Sequence, residues 1–148
     1  MEKDKPVIHV AMVGAAGSGK TEILRRLQGC PFRAAYHPTD QDTVTLEFPE
    51  YLFVVTEYSG QRFYHRDTFK DVTAYILVST ERRLDRRYAK SIHALMPENV
   101  PFIHIENKSD LSVRPPAPGT FACSAKQFLG LTFAFNDLAR SILARSKL

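Results

Sequence analysis

Residues 7–29, which read VIHVAMV, GAAGSGKT and EILRRLQG in succession, constrain the fold more than any other part of the chain. An apolar run of strand length passes through a glycine-rich loop straight into a segment whose Ile23, Leu24 and Leu27 share one helical face. Strand-length apolar runs separated by helix-length segments are the pattern of an α/β sheet with crossover helices. Parallel strands are covered on both faces, and their sequences read as nearly continuous apolar runs.

Further apolar runs of strand length lie at 44–48, 52–56, 74–78, 102–105 and 121–123, with helix-length segments between most of them. In TVTLEF, Val44, Leu46 and Phe48 alternate with Thr43, Thr45 and Glu47, the pattern of an edge strand with one wet face. The three residues PEY that follow are too few for a crossover helix, so 52–56 is expected to pair with that edge as an antiparallel hairpin. Helices are predicted over 21–28, with Gly29 as C-terminal cap, and around Leu84, Tyr88, Ile92 and Leu95, stopped by Pro97. A last helix is marked by Phe128, Leu131, Phe135, Leu138 and Ile142, a stripe expected to face the core. The fold class is therefore α/β: a six-stranded, mostly parallel sheet with one antiparallel edge strand, flanked by helices.

A chain of 148 residues with 44% hydrophobic content suits a single domain, residues 1–148. No window reaches the roughly 18 apolar residues of a membrane span, and MEKDKP at the start has no apolar leader behind it, so a soluble, cytoplasmic protein is expected. Cys30 and Cys123 lack the numbers for a disulfide framework and the spacing for a metal site, and are read as packing residues. Part of the net charge of +4 is concentrated in ERRLDRRYAK, residues 81–90. Such a run is ordinarily a solvated helix face, with a docking surface for an acidic partner as the alternative; no nucleic-acid partner is expected.

The loop 14–21 matches G-x-x-x-x-G-K-[ST], which by chance arises in roughly one of a few hundred chains of this length. Its glycines, Gly14, Gly17 and Gly19, let the backbone through Ala16 and Ser18 curl so that successive N–H groups point at phosphate oxygens. Lys20 adds positive charge for the β- and γ-phosphates, the Thr21 hydroxyl suits Mg²⁺, and the helix beginning there turns its positive end to the same anion. Far downstream, NKSD (107–110) follows one apolar strand and CSAK (123–126) another. A carboxylate such as Asp110 can accept from both the N1–H and the 2-amino group of guanine, a donor pair adenine lacks.

Phosphate loop, HPT (37–39), a glycine after a strand, NKSD and SAK, in this order, resemble the Ras-like small GTPases over most of the chain. The resemblance implies a P-loop NTPase fold that binds GTP and GDP with Mg²⁺ and signals to effectors or regulators through two switch loops. It implies that Asn107 and Lys108 brace base and loop, that Asp110 reads guanine, and that Ser124, Ala125 and Lys126 form the loop whose Ala125 backbone reaches the guanine carbonyl. Phe32 would cover the base. Thr39 of the first switch would join Thr21 on the metal, Gly60 of EYSGQ (57–61) would offer its N–H to the γ-phosphate, and Gln61 would position the attacking water. Lys20 and Gln61 are thus the implied catalytic residues, and Thr21, Thr39 and Glu57 the implied metal set.

Several residues depart from the family. Glu57 stands where aspartate is usual, Ser59 where alanine is common, and Ala16 where many members have glycine; all three point to slow hydrolysis, or to nucleotide held without useful hydrolysis. Only 13 residues, 111–123, separate NKSD from the serine of SAK and three are prolines, so the helix usual there is expected to be missing. A small P-loop kinase shares the loop but has no use for NKSD with SAK. No prenyl or myristoyl signal is present, and the terminal Ser146, Lys147 and Leu148 match a peroxisomal address only as three residues. Phe63, Tyr64 and Phe69 either pack on the sheet or form a surface revealed in one nucleotide state.

Overall fold

Strand β1 (Val7–Gly14) lies inside the sheet because both of its edges find partners: β3 (Leu52–Tyr58) on one side and β4 (Tyr75–Ser79) on the other, both parallel to it. The computed structural model describes residues 5–30, 41–60, 64–108, 120–128 and 130–146. β2 (Gln41–Glu47) pairs antiparallel with β3, while β5 (Phe102–Glu106) and β6 (Thr120–Ala122) continue the parallel sheet beyond β4. The resulting six-stranded order is β2-β3-β1-β4-β5-β6. This is the expected mostly parallel α/β sheet with its antiparallel pair at the edge.

Three helices cover it. α1 (Lys20–Leu27) and α3 (Leu131–Ser146) share one face, where Ile23, Leu24, Leu131, Phe135 and Leu138 pack on Ile8, Val10, Met12, Phe53 and Val55. Aromatic rings fill the space under the hairpin: Phe53 meets Phe135 edge-on at 5.4 Å, and Phe48 stacks on Tyr51 at 5.1 Å. The Tyr51 hydroxyl donates to Asn136 Oδ1, tying the hairpin to α3. α2 (Arg83–His93) covers the other face over β1 and β4, with Ile92 and Met96 against Ala11, Val13, Tyr75 and Leu77. Among the described residues no helix is long and apolar enough to cross a membrane.

Four expectations change. Leu84 does not face the core; it is 69% exposed, and the buried positions of α2 are Asp85, Ala89 and Ile92. Asp85 accepts the Thr80 hydroxyl at the start of the helix. Phe128 lies outside α3: its φ of 55° is left-handed, which interrupts a right-handed helix, so α3 begins only at Leu131 and the Phe128 ring is exposed. The hairpin is longer than its apolar runs, because the pairs Gln41 with Tyr58 and Asp42 with Glu57 extend both strands into polar sequence. Finally, β3 is not buried on both faces: Phe53, Val55 and Glu57 are buried, whereas Leu52, Val54, Thr56 and Tyr58 remain partly open because α2 lies over β1 and β4 instead. The expected loss of a helix within 111–119 lies outside the described residues.

The corrected stripes make a contrast that unfolding can measure. Phe53→Ala should lower stability by about 3–5 kcal/mol through the cavity it leaves, while Leu84→Ala should stay within about 0.5 kcal/mol of wild type. Urea denaturation of the two variants checks both values.

Candidate functional site

The strands β1, β3, β5 and β6 end at the same edge of the sheet, and the residues singled out in the sequence lie on the segments that leave them. The crevice outside the carboxyl ends of parallel strands is where open α/β sheets hold ligands. At the end of β1, Gly17 (φ 77°) and Gly19 (φ 100°) adopt left-handed backbone on either side of Ser18, which L side chains adopt only with strain. The Ser18 N–H closes a turn on the Ala15 carbonyl at 3.2 Å. The concave backbone that results has the form of an anion nest at the start of α1.

Lys20 is 7% exposed, and its ammonium donates to the carbonyls of Gly14 at 2.8 Å and Ala15 at 2.9 Å. Burial pushes its pKa down from 10.5 to about 8, and the Glu57 and Asp85 carboxylates pull the other way. Because the net shift is downward, the two carboxylates do not fully offset the cost of burying the Lys20 charge, and a further anion beside it would stabilise it. Thr21 Oγ1 donates to both carboxylate oxygens of Glu57, at 2.8 and 2.9 Å. Glu57 is held there by its strand, since β3 pairs Met12 on one side and Asp42 on the other. One hydroxyl and one carboxylate are hard oxygen donors of the kind Mg²⁺ takes when the remaining ligands are phosphates and water. The described residues contain no cluster of three or more His, Cys, Asp or Glu, so an all-protein cage is not on offer there.

Gly60 lies directly against the loop: a Cβ on it would stand 2.2 Å from the Ala16 nitrogen. Ser59 before it is buried, and its carbonyl accepts the Tyr64 hydroxyl at 2.8 Å. Tyr64 and Phe69 pack with Tyr58, at ring distances of 5.8 Å for Tyr58 with Tyr64 and 5.1 Å for Tyr58 with Phe69. For those two rings the packed arrangement holds; Phe63 lies outside the described residues.

Just after β5, Asn107 is 2% exposed, and its carboxamide joins two loops. Nδ2 donates to the Ser18 carbonyl at 2.9 Å, and Oδ1 accepts the Ala125 N–H at 3.2 Å. The contact is so close that a Cβ on Gly19 would fall 2.0 Å from Nδ2. Lys108, at φ 62°, donates from Nζ to the Gly17 carbonyl at 2.5 Å. Both side chains thus bond to backbone carbonyls of the 14–21 loop. The Ala125 N–H, expected to reach a guanine carbonyl, is engaged by Asn107, so a base would share or displace that bond. Ser124 is buried and its Oγ accepts the Gln127 N–H at 3.1 Å, while Lys126 is exposed.

The structure therefore gathers Gly14, Ala16, Gly17, Ser18, Gly19, Lys20, Thr21, Glu57, Gly60, Asn107, Lys108, Ser124 and Ala125 around one edge of the sheet. Phe32, Thr39, Gln61 and Asp110 lie outside the described residues. Sequence reasoning missed Arg26, whose Nε donates to the Ala125 carbonyl at 2.8 Å while its guanidinium lies 5.1 Å from the Phe128 ring centre. Nothing in EILRRLQG separates Arg26 from the arginine beside it; only the placement of α1 next to the 124–126 loop does. It also missed the pair of Arg86 with the buried Glu106 at 3.4 Å, which ties α2 to the end of β5 just before Asn107. No protein-family model matches the chain and no curated protein matches it, so what the site does rests on this geometry.

Two consequences follow for stability. Asn107→Ala should cost about 1–3 kcal/mol, because the Ser18 carbonyl and the Ala125 N–H both lose a buried partner; thermal and urea unfolding measure it. Lys20 binds its proton less tightly in the folded chain, so between about pH 8 and 10.5 the unfolded chain holds a proton that the native one has released, and stability rises with pH there. The stability of wild type relative to Lys20→Met should rise by about 2 kcal/mol from pH 7.5 to 9.5 and stay flat below pH 7.5.

Proposed function

We propose that the chain is a guanine-nucleotide-binding switch of the P-loop, Ras-like kind that takes GTP and GDP with Mg²⁺ and hydrolyses GTP slowly. The single observation that supports this best is the Asn107 carboxamide, which fastens the phosphate loop at Ser18 to the 124–126 loop at Ala125. A phosphate site and a base site on two separate loops must keep a fixed spacing to grip one nucleotide, and this bond sets that spacing. In this reading Lys20 neutralises β- and γ-phosphate charge, and Thr21, Thr39 and Glu57 serve the metal. Gly60 senses the γ-phosphate, Gln61 orients water, Phe32 covers the base and Asp110 selects guanine. Release of the γ-phosphate frees the two switch loops, through which effectors and regulators would bind.

A second reading, in which nucleotide is held without useful hydrolysis, is favoured by the segment before Gly60. Ser59 is anchored by Tyr64, and Tyr64 in turn by Tyr58 and Phe69, which resists the rearrangement that brings Gln61 onto a water. This reading expects purified protein to carry intact GTP.

Displacement of a fluorescent GDP analogue tests the ligand class. GDP and GTP should compete at concentrations at least about 100-fold below ATP, and Asp110→Ala should erase that preference; ATP winning the competition would overturn the guanine reading in favour of a P-loop kinase. In single-turnover phosphate release, Gln61→Leu should slow the wild-type rate by about tenfold or more. A wild type that releases no phosphate above buffer leaves only the non-hydrolysing reading.

A further inference from the structure

The basic run 81–90 has no part in the nucleotide reading. Its helix, α2, turns Asp85, Ala89 and Ile92 inward. At 100° per residue, Arg83, Arg87 and Lys90 fall on one stripe opposite those three, about 10 Å from end to end. All are exposed, as is Arg82 at the N-cap. The one carboxylate of the helix, Asp85, is buried and accepts the Thr80 hydroxyl, so the exposed face of α2 carries no negative side chain. A solvated helix face ordinarily mixes charges of both signs. Here Arg83 with Arg87, and Arg87 with Lys90, are like-charged neighbours four and three residues apart. Arg82 and Arg83 also stand at the end of the helix where its dipole is already positive. Both arrangements disfavour the helix, and an anionic neighbour outside it relieves both.

We propose that this outer face of α2 docks on an anionic lipid surface. Two features favour a bilayer over a protein or a nucleic acid. A protein partner would strip water from four cations on a face with no apolar seam, and exposed ion pairs offset little of that cost. Lipid headgroups neutralise the same cations while leaving them hydrated, each cation raising the partition about fivefold. The second feature is apolar. Leu84, in the first turn, is 69% exposed; Phe102, 44% exposed, lies against His93 at the last residue of the helix, with ring centres 4.9 Å apart. Apolar side chains beside cations settle at the boundary of headgroups and acyl chains, whereas a phosphate backbone offers them no partner. Docking of this kind requires no nucleotide.

Vesicles of phosphatidylcholine with and without about 30% phosphatidylserine are the probe, mixed with the full chain. The protein should sediment with the anionic vesicles, come off as salt rises, and stay in solution with the neutral ones; no binding to the anionic vesicles overturns the proposal. Arg83→Gln/Arg87→Gln/Lys90→Gln should lower the partition about 100-fold, at about fivefold per cation. Removing the same charge at exposed positions elsewhere, with Arg66→Gln/Lys70→Gln/Arg140→Gln, should lower it less than about threefold. Equal losses in the two variants overturn the proposal, because net charge alone then accounts for binding. The chain has no tryptophan, so Leu84→Trp gives a single reporter. Its emission should shift to the blue on anionic vesicles and be quenched by brominated lipid; unchanged emission overturns docking through this face. A duplex oligonucleotide that binds more tightly than the anionic vesicles overturns the lipid partner in favour of a nucleic-acid one.

Discussion

Everything in the structure is built out from β1, whose backbone is hydrogen-bonded to parallel neighbours along both edges. A strand so placed has no edge facing water, and its side chains alternate between two cores: Ile8, Val10 and Met12 toward α1 and α3, Ala11 and Val13 toward α2. Burial on both faces requires helices on both faces, and helices require crossovers, so the loops after the strands gather at one end. The 14–21 loop is the first of these, and its position follows from β1 rather than from any property of the loop.

At that end the problem is electrostatic. Lys20, Glu57 and Asn107 are all buried, and a buried polar group costs free energy unless it has partners. Each has them: Lys20 the carbonyls of Gly14 and Ala15, Glu57 the Thr21 hydroxyl, Asn107 the Ser18 carbonyl and the Ala125 N–H. The partners are short-range and come from four strand ends, so the site holds together only when the whole sheet is in register. Arg26 and Arg86 reinforce it from the helices, at the Ala125 carbonyl and at Glu106.

Much of this was legible in the residues. The apolar runs marked all six strands, and alternation in TVTLEF placed the edge strand, because burial period is a direct record of which faces meet water. The loop and NKSD stood out by residue type, and the structure brings Asn107 and Lys108 against the 14–21 loop. What escaped was decided by contacts between distant segments. Leu84 helped mark α2 in the sequence, yet the packing leaves Leu84 exposed and buries Asp85, bonded to Thr80. Phe128 fitted the helical spacing of α3, but its left-handed backbone and its contact with Arg26 belong to a loop. Glu57 lies within β3, beyond the apolar run at 52–56, because cross-strand pairing does not require apolar side chains.

The sequence by itself determined the class of sheet, the order of its elements and the identity of the polar groups at its end, since apolar period and residue chemistry are local properties. Only the tertiary structure decided which of those groups touch. That Asn107 joins two loops, that Arg26 supports a third contact, and that Glu57 accepts the Thr21 hydroxyl are all consequences of strand register. Register arises from the packing of the whole core, and no single stretch of sequence contains it.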